Sequence, residues 1–545
     1  MNPAPHTSGR RPPRWTIAAF AVLLLLPTFW AGVALLAAAA ISGALAVVRE
    51  AAFRRARAAA SPAAAGGVGL GTDTEGNPVW LEDSQLAAHG LILGASGSGK
   101  STTLLRMLTD QIRRGRPVVV IDLKGSQAFA GELAAASAAA GRPFKLFSPD
   151  GQTRWNPLAH GNATQLKDKL IASERFTEPH YQRAAERYVQ TVLQVLQAAH
   201  PDAAADLGEV VAHMDPRRLS GALRRLPRER AAQVQDYLAG LTPDQHSAIR
   251  GFATRLALLT ESNVGPLLES GSERAETIDL RSALEHHEVV LFSLNSSTYG
   301  KLASQLGTLA IQDLIAAAGD RLERSSDGAS IQATIGIDEF SALGTENVVG
   351  LLARGREAGM SVLLVTQELA DLDRAGRGMR DQVVGNTAVK IAHRQDVPAS
   401  AKLIAEMAGT KTVWEETEQI GGRFGANARR GTRREVERFV VHPNQIKSLR
   451  TGEAVIITKL PRAAVRLMTV SPPTGSRATP SPATAVPRPR PGPATASPRP
   501  TPGPRPTPGP RRSGARPPPT RSTRAGGRPE PGESPSRGGA DGQAR

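Results

Sequence analysis

The sequence has no cysteine in 545 residues. Disulfides and thiolate metal sites are therefore excluded, a composition that suits a reducing compartment. Charge is missing from a second place: the 34 positions from Trp15 to Val48 hold no charged residue. As helix that run would be ~51 Å long, against a hydrocarbon core of ~30 Å. It also exceeds the roughly 7–15 apolar residues of a cleaved signal peptide. Residues 1–14 then read as a basic cytoplasmic segment and residues 15–48 as a transmembrane anchor. A hairpin breaking near Pro27–Gly32 and a single tilted span both fit. Arg10, Arg11 and Arg14 on one flank, with Arg49, Arg54, Arg55 and Arg57 on the other, suit a hairpin with both ends in the cytoplasm.

Large apolar side chains are almost absent from residues 472–545, which hold 21 prolines. Such a segment cannot bury enough surface to fold and reads as a disordered Pro/Arg-rich tail. Net charge is absent from the centre of the chain. The formal charge is +17, but the tail holds 13 Arg against 3 acids and residues 1–60 hold 7 Arg against 1. The central body is left close to neutral, so the high pI belongs to the two ends.

What is present is organised around Gly94-Ala95-Ser96-Gly97-Ser98-Gly99-Lys100-Ser101. The stretch fits G-x-x-x-x-G-K-S/T, preceded by the short apolar run Gly90–Leu93 and followed by helical spacing from Thr102. Glycines let backbone N–H groups curl around phosphates, and the helix N-terminus adds partial positive charge. Lys100 is placed for the outer phosphates of ATP and the Ser101 hydroxyl for Mg²⁺.

Strand-like runs then alternate with helical ones, which implies an α/β domain with a parallel sheet covered on both sides. The strand candidates are 77–81, 117–122, 144–147, 288–294, 331–337, 361–367, 388–392 and 454–457. Residues 49–74 read as a linker; 75–158 and 285–471 read as two halves of one ATPase domain. Between them, residues 159–284 read as an all-α insertion. Tyr181, Ala184, Tyr188, Val192 and Val195 recur at helical spacing there, as do Ile249, Phe252, Leu256 and Leu259. The second helix opens on Thr242-Pro243-Asp244-Gln245, a capping box with proline in the first turn.

A P-loop alone does not make a hydrolase. Ile335-Gly336-Ile337-Asp338-Glu339 is an apolar strand ending in two acids. Asp338 is placed to hold Mg²⁺ opposite Ser101, and Glu339 to act as general base on water. Gln367, at the end of the next strand, is placed to sense the γ-phosphate or orient that water. Arg354 and Arg356 lie between the acids and Gln367; either can supply guanidinium charge to a transferring phosphoryl group, in its own subunit or across a boundary. A solvated helix face is the plain alternative for this arginine pair.

The order of Gly94–Ser101, Val120-Ile121-Asp122-Leu123-Lys124-Gly125, Ile337-Asp338-Glu339-Phe340, Arg354-Gly355-Arg356-Glu357-Ala358-Gly359 and Val365-Thr366-Gln367 resembles the TraD/TraG-type coupling proteins. These serve conjugative type IV secretion and belong to the FtsK/HerA branch of RecA-like P-loop ATPases. Trp155-Asn156-Pro157-Leu158 and Gly385-Asn386 match as well. The resemblance implies a RecA-like domain carrying an all-α domain, in a homo-hexamer anchored to the plasma (inner) membrane with its catalytic domains in the cytoplasm. It implies ATP and Mg²⁺ as cofactors, and DNA with secretion-channel or relaxosome proteins as partners. By position it assigns Gly94–Thr102 to nucleotide, Ser101 and Asp338 to metal, Asp338 and Glu339 to the Walker B pair, and Gln367 to the sensor. Arg356 best fits an arginine acting in trans, with Arg354 second. A double-stranded DNA translocase of the FtsK type and a receptor delivering protein substrates are the competing functions. The first of these commonly carries a folded C-terminal DNA-reading domain, which the tail cannot form.

Overall fold

The computed structural model describes residues 66–270, 275–324, 332–418 and 431–473. The expected anchor at 15–48 and all but the first residues of the expected tail lie outside them. Among the described residues, no helix is long and apolar enough to cross a membrane.

The strands are β1 (Gly67–Asp73), β2 (Pro78–Glu82), β3 (Gly90–Leu93), β4 (Val118–Asp122), β5 (Phe144–Phe147), β6 (Arg154–Trp155), β7 (Thr277–Ile278), β8 (Val289–Ser293), β9 (Ala333–Asp338), β10 (Met360–Thr366), β11 (Val389–Ala392), β12 (Thr410–Glu418), β13 (Gly431–Phe439), β14 (Glu453–Thr458) and β15 (Ala464–Val470). Eleven of them form one sheet in the order β2-β1-β15-β14-β11-β3-β10-β9-β4-β8-β5. From β11 to β5 every pairing is parallel; β14, β15, β1 and β2 extend one side antiparallel.

Strand periodicity divides the core into two. Leu91, Leu93, Val119, Ile121, Ile335 and Ile337 pack on one face of the sheet. Ile92, Val118, Val120, Leu291, Leu363 and Val365 pack on the other. Alternate residues of a strand point to opposite faces, so fully apolar runs such as Val118–Ile121 mark strands buried on both sides. The second face is covered by α1 (Lys100–Arg113), whose Leu104, Leu105, Met107, Leu108 and Ile112 are buried, and by α2 (Gln127–Ala139).

Most of residues 159–284 is helical among the described positions, including α3 (Ala163–Ala172), α4 (Pro179–Ala199) and α5 (Pro243–Thr260). The capping box expected at Thr242 and Gln245 is formed. Tyr188, Val192 and Val195 are buried on α4 as their spacing implies, together with Ala185, Val189, Leu193 and Leu196. Tyr181 departs from that pattern and is 39% exposed. It sits in the first turn, where the ring lies against His180 at 4.2 Å between centroids. Two helices of the second half matter below: α6 (Lys301–Arg324) and α7 (Thr345–Glu357). Asp313 of α6 binds Lys169 of α3 at 2.7 Å and the indole N–H of Trp155 at 3.2 Å, pinning the helical region to the sheet.

The strands β6, β7 and β15 are not among the sequence candidates, and the short β7 falls inside the expected all-α insertion; two further departures have a visible cause. Residues 67–73, assigned to a linker, form β1 in the main sheet. Glycine suppressed the strand signal, yet the glycines fit close backbone contacts. A Cβ on Gly71 would fall 1.9 Å from the Thr469 carbonyl oxygen, and one on Gly67 would fall 2.5 Å from that of Leu81. The second is the two-stranded ribbon β12–β13, paired from Thr410↔Phe439 to Glu418↔Gly431 and separate from the main sheet. Its strands carry charge on both faces, so no apolar alternation announced it.

Candidate nucleotide-binding and hydrolysis site

The parallel strands end together, and their C-terminal edge gathers the sequence-predicted residues. β3 runs into the glycine loop, where Gly97 and Gly99 adopt φ of +70° and +113°. Side chains with a Cβ rarely adopt such angles, so these two positions need glycine. At Gly94 the constraint is space: a Cβ would lie 2.5 Å from Ser98 Oγ and 2.7 Å from His393 Cβ. The loop is also held from outside. Ala95 N–H donates to the Arg394 carbonyl at 2.8 Å, Gly94 N–H to the Gln367 carbonyl at 3.2 Å and Gly452 N–H to the Ser98 carbonyl at 2.9 Å. The Thr451 hydroxyl donates to the Gly97 carbonyl at 3.1 Å.

Behind the loop stands His393. Its Nδ1 lies 2.9 Å from the Glu453 carbonyl, which can only accept, so Nδ1 carries the proton. Nε2 then accepts from the Thr103 hydroxyl at 2.9 Å. Burial holds this imidazole at a pKa of about 4, so it stays neutral at neutral pH.

The loop meets the requirements of a phosphate cradle. Its helix starts at Lys100, and the N–H groups of a helix's first turn have no intrahelical acceptors. Ser98 Oγ is buried with no hydrogen-bond partner. Lys100 Nζ turns back onto the carbonyls of Gly94 at 2.5 Å and Ala95 at 3.0 Å, within the loop it would share with phosphate. Burial, then the nearby charge of Lys124, pulls its pKa below the usual lysine value. Ser96, Gly97 and Thr102 are exposed along the loop's outer side.

The acid pair comes to the same edge because β9 lies between β10 and β4. Asp338 is in register with Val365 on one side and Asp122 on the other. The Ser101 hydroxyl is 3.4 Å from Asp338 Oδ2, the juxtaposition expected of two metal-shell residues. Burial pushes the Asp338 pKa up, opposed by the charge of Lys124. Glu339 adopts φ of +58°, a left-handed conformation that costs a non-glycine residue of order 1–3 kcal/mol. Its Oε1 accepts from Gln367 Nε2 at 3.0 Å.

Arg354 and Arg356 do not join this edge. They occupy the exposed last turn of α7, which leads through Gly359 into the start of β10, so they sit at the opposite edge of the sheet. Arg356 there lines a cleft of about 620 Å³ with His89, Lys390 and Lys459. Sequence reasoning gave no role to His393, Thr451 or Lys124. Lys124 carried a signal, since it stands two residues beyond a strand that ends in Asp122.

The model for the type IV secretion-system coupling protein DNA-binding domain matches residues 78–468. The chain belongs to this coupling-protein family. Two solved structures of a coupling protein are similar in fold. The bacterial conjugative coupling protein TrwBΔN70, in an unbound form, aligns at a TM-score of 0.54 and 14% identity, covering 74% of this chain and 88% of that one. The plasmid coupling protein TrwB in complex with ADP and Mg²⁺ aligns at a TM-score of 0.52 and 16% identity, with coverages of 74% and 88%. Comparison with curated proteins finds no match. This coupling-protein chain thus presents a P-loop, an acid pair and a glutamine converging at one sheet edge, and an exposed arginine pair at the other.

Proposed function

We propose that this chain is an ATP-hydrolysing motor that couples DNA, or a DNA–protein complex, to a type IV secretion channel at the inner membrane. The observation that carries the reading is the convergence of Ser101, Asp338, Glu339 and Gln367 on the glycine loop. Lys100 holds the outer phosphates of ATP. Ser101 and Asp338 hold Mg²⁺, which neutralises charge on the phosphates when bound. Glu339 takes the proton of the attacking water, and Gln367 fixes the orientation of that carboxylate. The two arginines face away from their own loop, which supports a ring in which Arg356, or Arg354 beside it, completes the neighbouring subunit's site. Six subunits, anchored through residues 15–48, are the assembly proposed.

The test is ATP turnover by the full chain, alone and with single- or double-stranded DNA. Stimulation by DNA supports the pump. Turnover indifferent to DNA but raised by a secreted protein would favour a receptor for protein substrates. Directional travel along duplex DNA without channel proteins would favour a free translocase. No turnover under any of these conditions would refute the ATPase reading.

A further inference from the structure

Three carboxylates gather at the ends of two neighbouring strands: Asp122 ending β4, Asp338 ending β9 and Glu339 just after it. Asp122 is already committed. Its oxygens accept the backbone N–H of Lys124 at 2.9 Å and of Ser126 at 2.9 Å, so it shapes the turn after β4. That turn is held from the other side too, where Ser296 N–H donates to the Leu123 carbonyl at 2.7 Å. Gly125 has φ of +67°, and a Cβ there would lie 2.5 Å from Asn295 Cβ. The backbone beneath Lys124 is therefore fixed, and it aims the side chain across to β9.

The Lys124 ammonium lies 3.0 Å from Asp338 Oδ2 and 3.2 Å from Oδ1. It also lies 3.2 Å from Glu339 Oε1. Two of these oxygens have other partners: Oδ2 faces the Ser101 hydroxyl and Oε1 takes the Gln367 amide. Lys100 is turned onto loop carbonyls and makes no hydrogen bond to the acids. Lys124 thus touches the metal-shell carboxylate and the base at once, and stands on the Asp338 oxygen nearest Ser101.

We infer that Lys124 is a positioning residue that competes with the divalent cation for Asp338 and, once displaced, keeps Glu339 aimed. It rests on the ATPase reading above. Two cations cannot both sit on one carboxylate oxygen at contact distance without repulsion. With a divalent cation held by Ser101 and Asp338, Lys124 would give up its contact with Asp338 and keep its contact with Glu339. The side chain is 36% exposed, so solvent screens the pair and the competition is modest.

The experiment titrates Mn²⁺ into the full chain with ADP present, following loss of the free-ion paramagnetic resonance signal, alongside ATP turnover at saturating Mg²⁺. Lys124→Met should bind Mn²⁺ roughly two- to fivefold more tightly, yet turn over about tenfold more slowly. Lys124→Arg, which keeps the charge, should retain most of the wild-type metal midpoint. In the Asp338→Asn background, Lys124→Met should no longer tighten Mn²⁺. A merely structural lysine would lower the unfolding temperature and leave the metal midpoint in place. If Lys124→Met binds Mn²⁺ as the wild type does, or more weakly, the inference is overturned while the ATPase reading stands. If the wild type itself takes up no Mn²⁺ with ADP, both fall.

Discussion

The two buried histidines make acid sensitivity the sharpest stability prediction. His89 and His393 are about 1% and 0% exposed, and burial depresses each to a pKa of about 4. His393 lies behind the P-loop, while His89, with φ of +63°, precedes β3 and bonds the Leu352 carbonyl at 2.8 Å through Nε2. In the unfolded chain each returns to about 6.5. Between these values the unfolded state binds protons that the folded state refuses, so stability falls as pH falls. At pH 5 each histidine should cost about 2 kcal/mol relative to pH 7.5, and the pair about 4 kcal/mol. Most carboxylates add little in this window, because their unfolded values lie near 4; Asp338, which burial pushes up, protonates first in the folded state and offsets part of the loss. Urea unfolding at pH 7.5 and 5.0 measures the difference directly. His393→Gln should be less stable at pH 7.5, since it disturbs the contacts to Thr103 and Glu453, but should show about half the acid loss. A variant acid loss equal to that of the wild type would refute the claim that His393 is held neutral.

The remaining predictions concern the site. Lys100→Ala should weaken ATP binding, whereas Glu339→Gln should keep it and lower turnover by about 10²–10⁴-fold; equilibrium binding and single-turnover rates separate the two. Gly94→Ala should cost about 1–3 kcal/mol by crowding Ser98 and His393, and also weaken nucleotide binding; unchanged urea stability would mean the loop has more room than the Cβ distances allow. Mixing Arg356→Ala with Lys100→Ala subunits should restore part of the lost ATPase, because each mixed boundary can join an intact loop to an intact arginine. Mixed rings without recovery would place Arg356 outside any shared site.

Most of the catalytic edge was legible because its parts are contiguous in sequence: a strand, then the residue that matters. Gly90–Leu93 leads into the loop, Ala333–Ile337 into Asp338, Met360–Val365 into Thr366 and Gln367. Apolar strands buried on both faces announce themselves, and polar residues at their ends stand out. What escaped was set by tertiary contact. β1 was hidden because Gly67 and Gly71 meet neighbouring carbonyls rather than burying side chains. β12 and β13 were hidden because their pairing is supported by cross-strand charges such as Arg434–Glu415 at 3.2 Å. Lys124 lies in the Asp122–Gly125 stretch, but only the register Asp122↔Asp338 brings its ammonium over the acid pair. His393 gave no signal at all, since its partners are Thr103 and Glu453, far away in the chain.

The placement of Glu339 also says how chemistry could be felt elsewhere. Its left-handed backbone turns directly into the 3₁₀ turn Phe340–Leu343, which opens α7. That turn is clamped onto α6. The Thr308 hydroxyl donates to the Leu343 carbonyl at 3.4 Å, Asn347 Nδ2 to the same oxygen at 3.2 Å, and Gln312 Nε2 to Asn347 Oδ1 at 2.7 Å. A Cβ on Gly307 would lie 2.6 Å from Leu343 Cδ2, so the contact leaves no slack. One end of this unit carries Glu339. α7 spans 13 residues, and a helix of that length extends ~20 Å, delivering Arg354 and Arg356 to the opposite edge. α6 carries Asp313, which grips Lys169 and Trp155 where the helical region begins. Close-packed elements move as bodies rather than deforming continuously. The Glu339 turn, α7 and α6 thus form one packed unit that reaches both the arginines and the helical region.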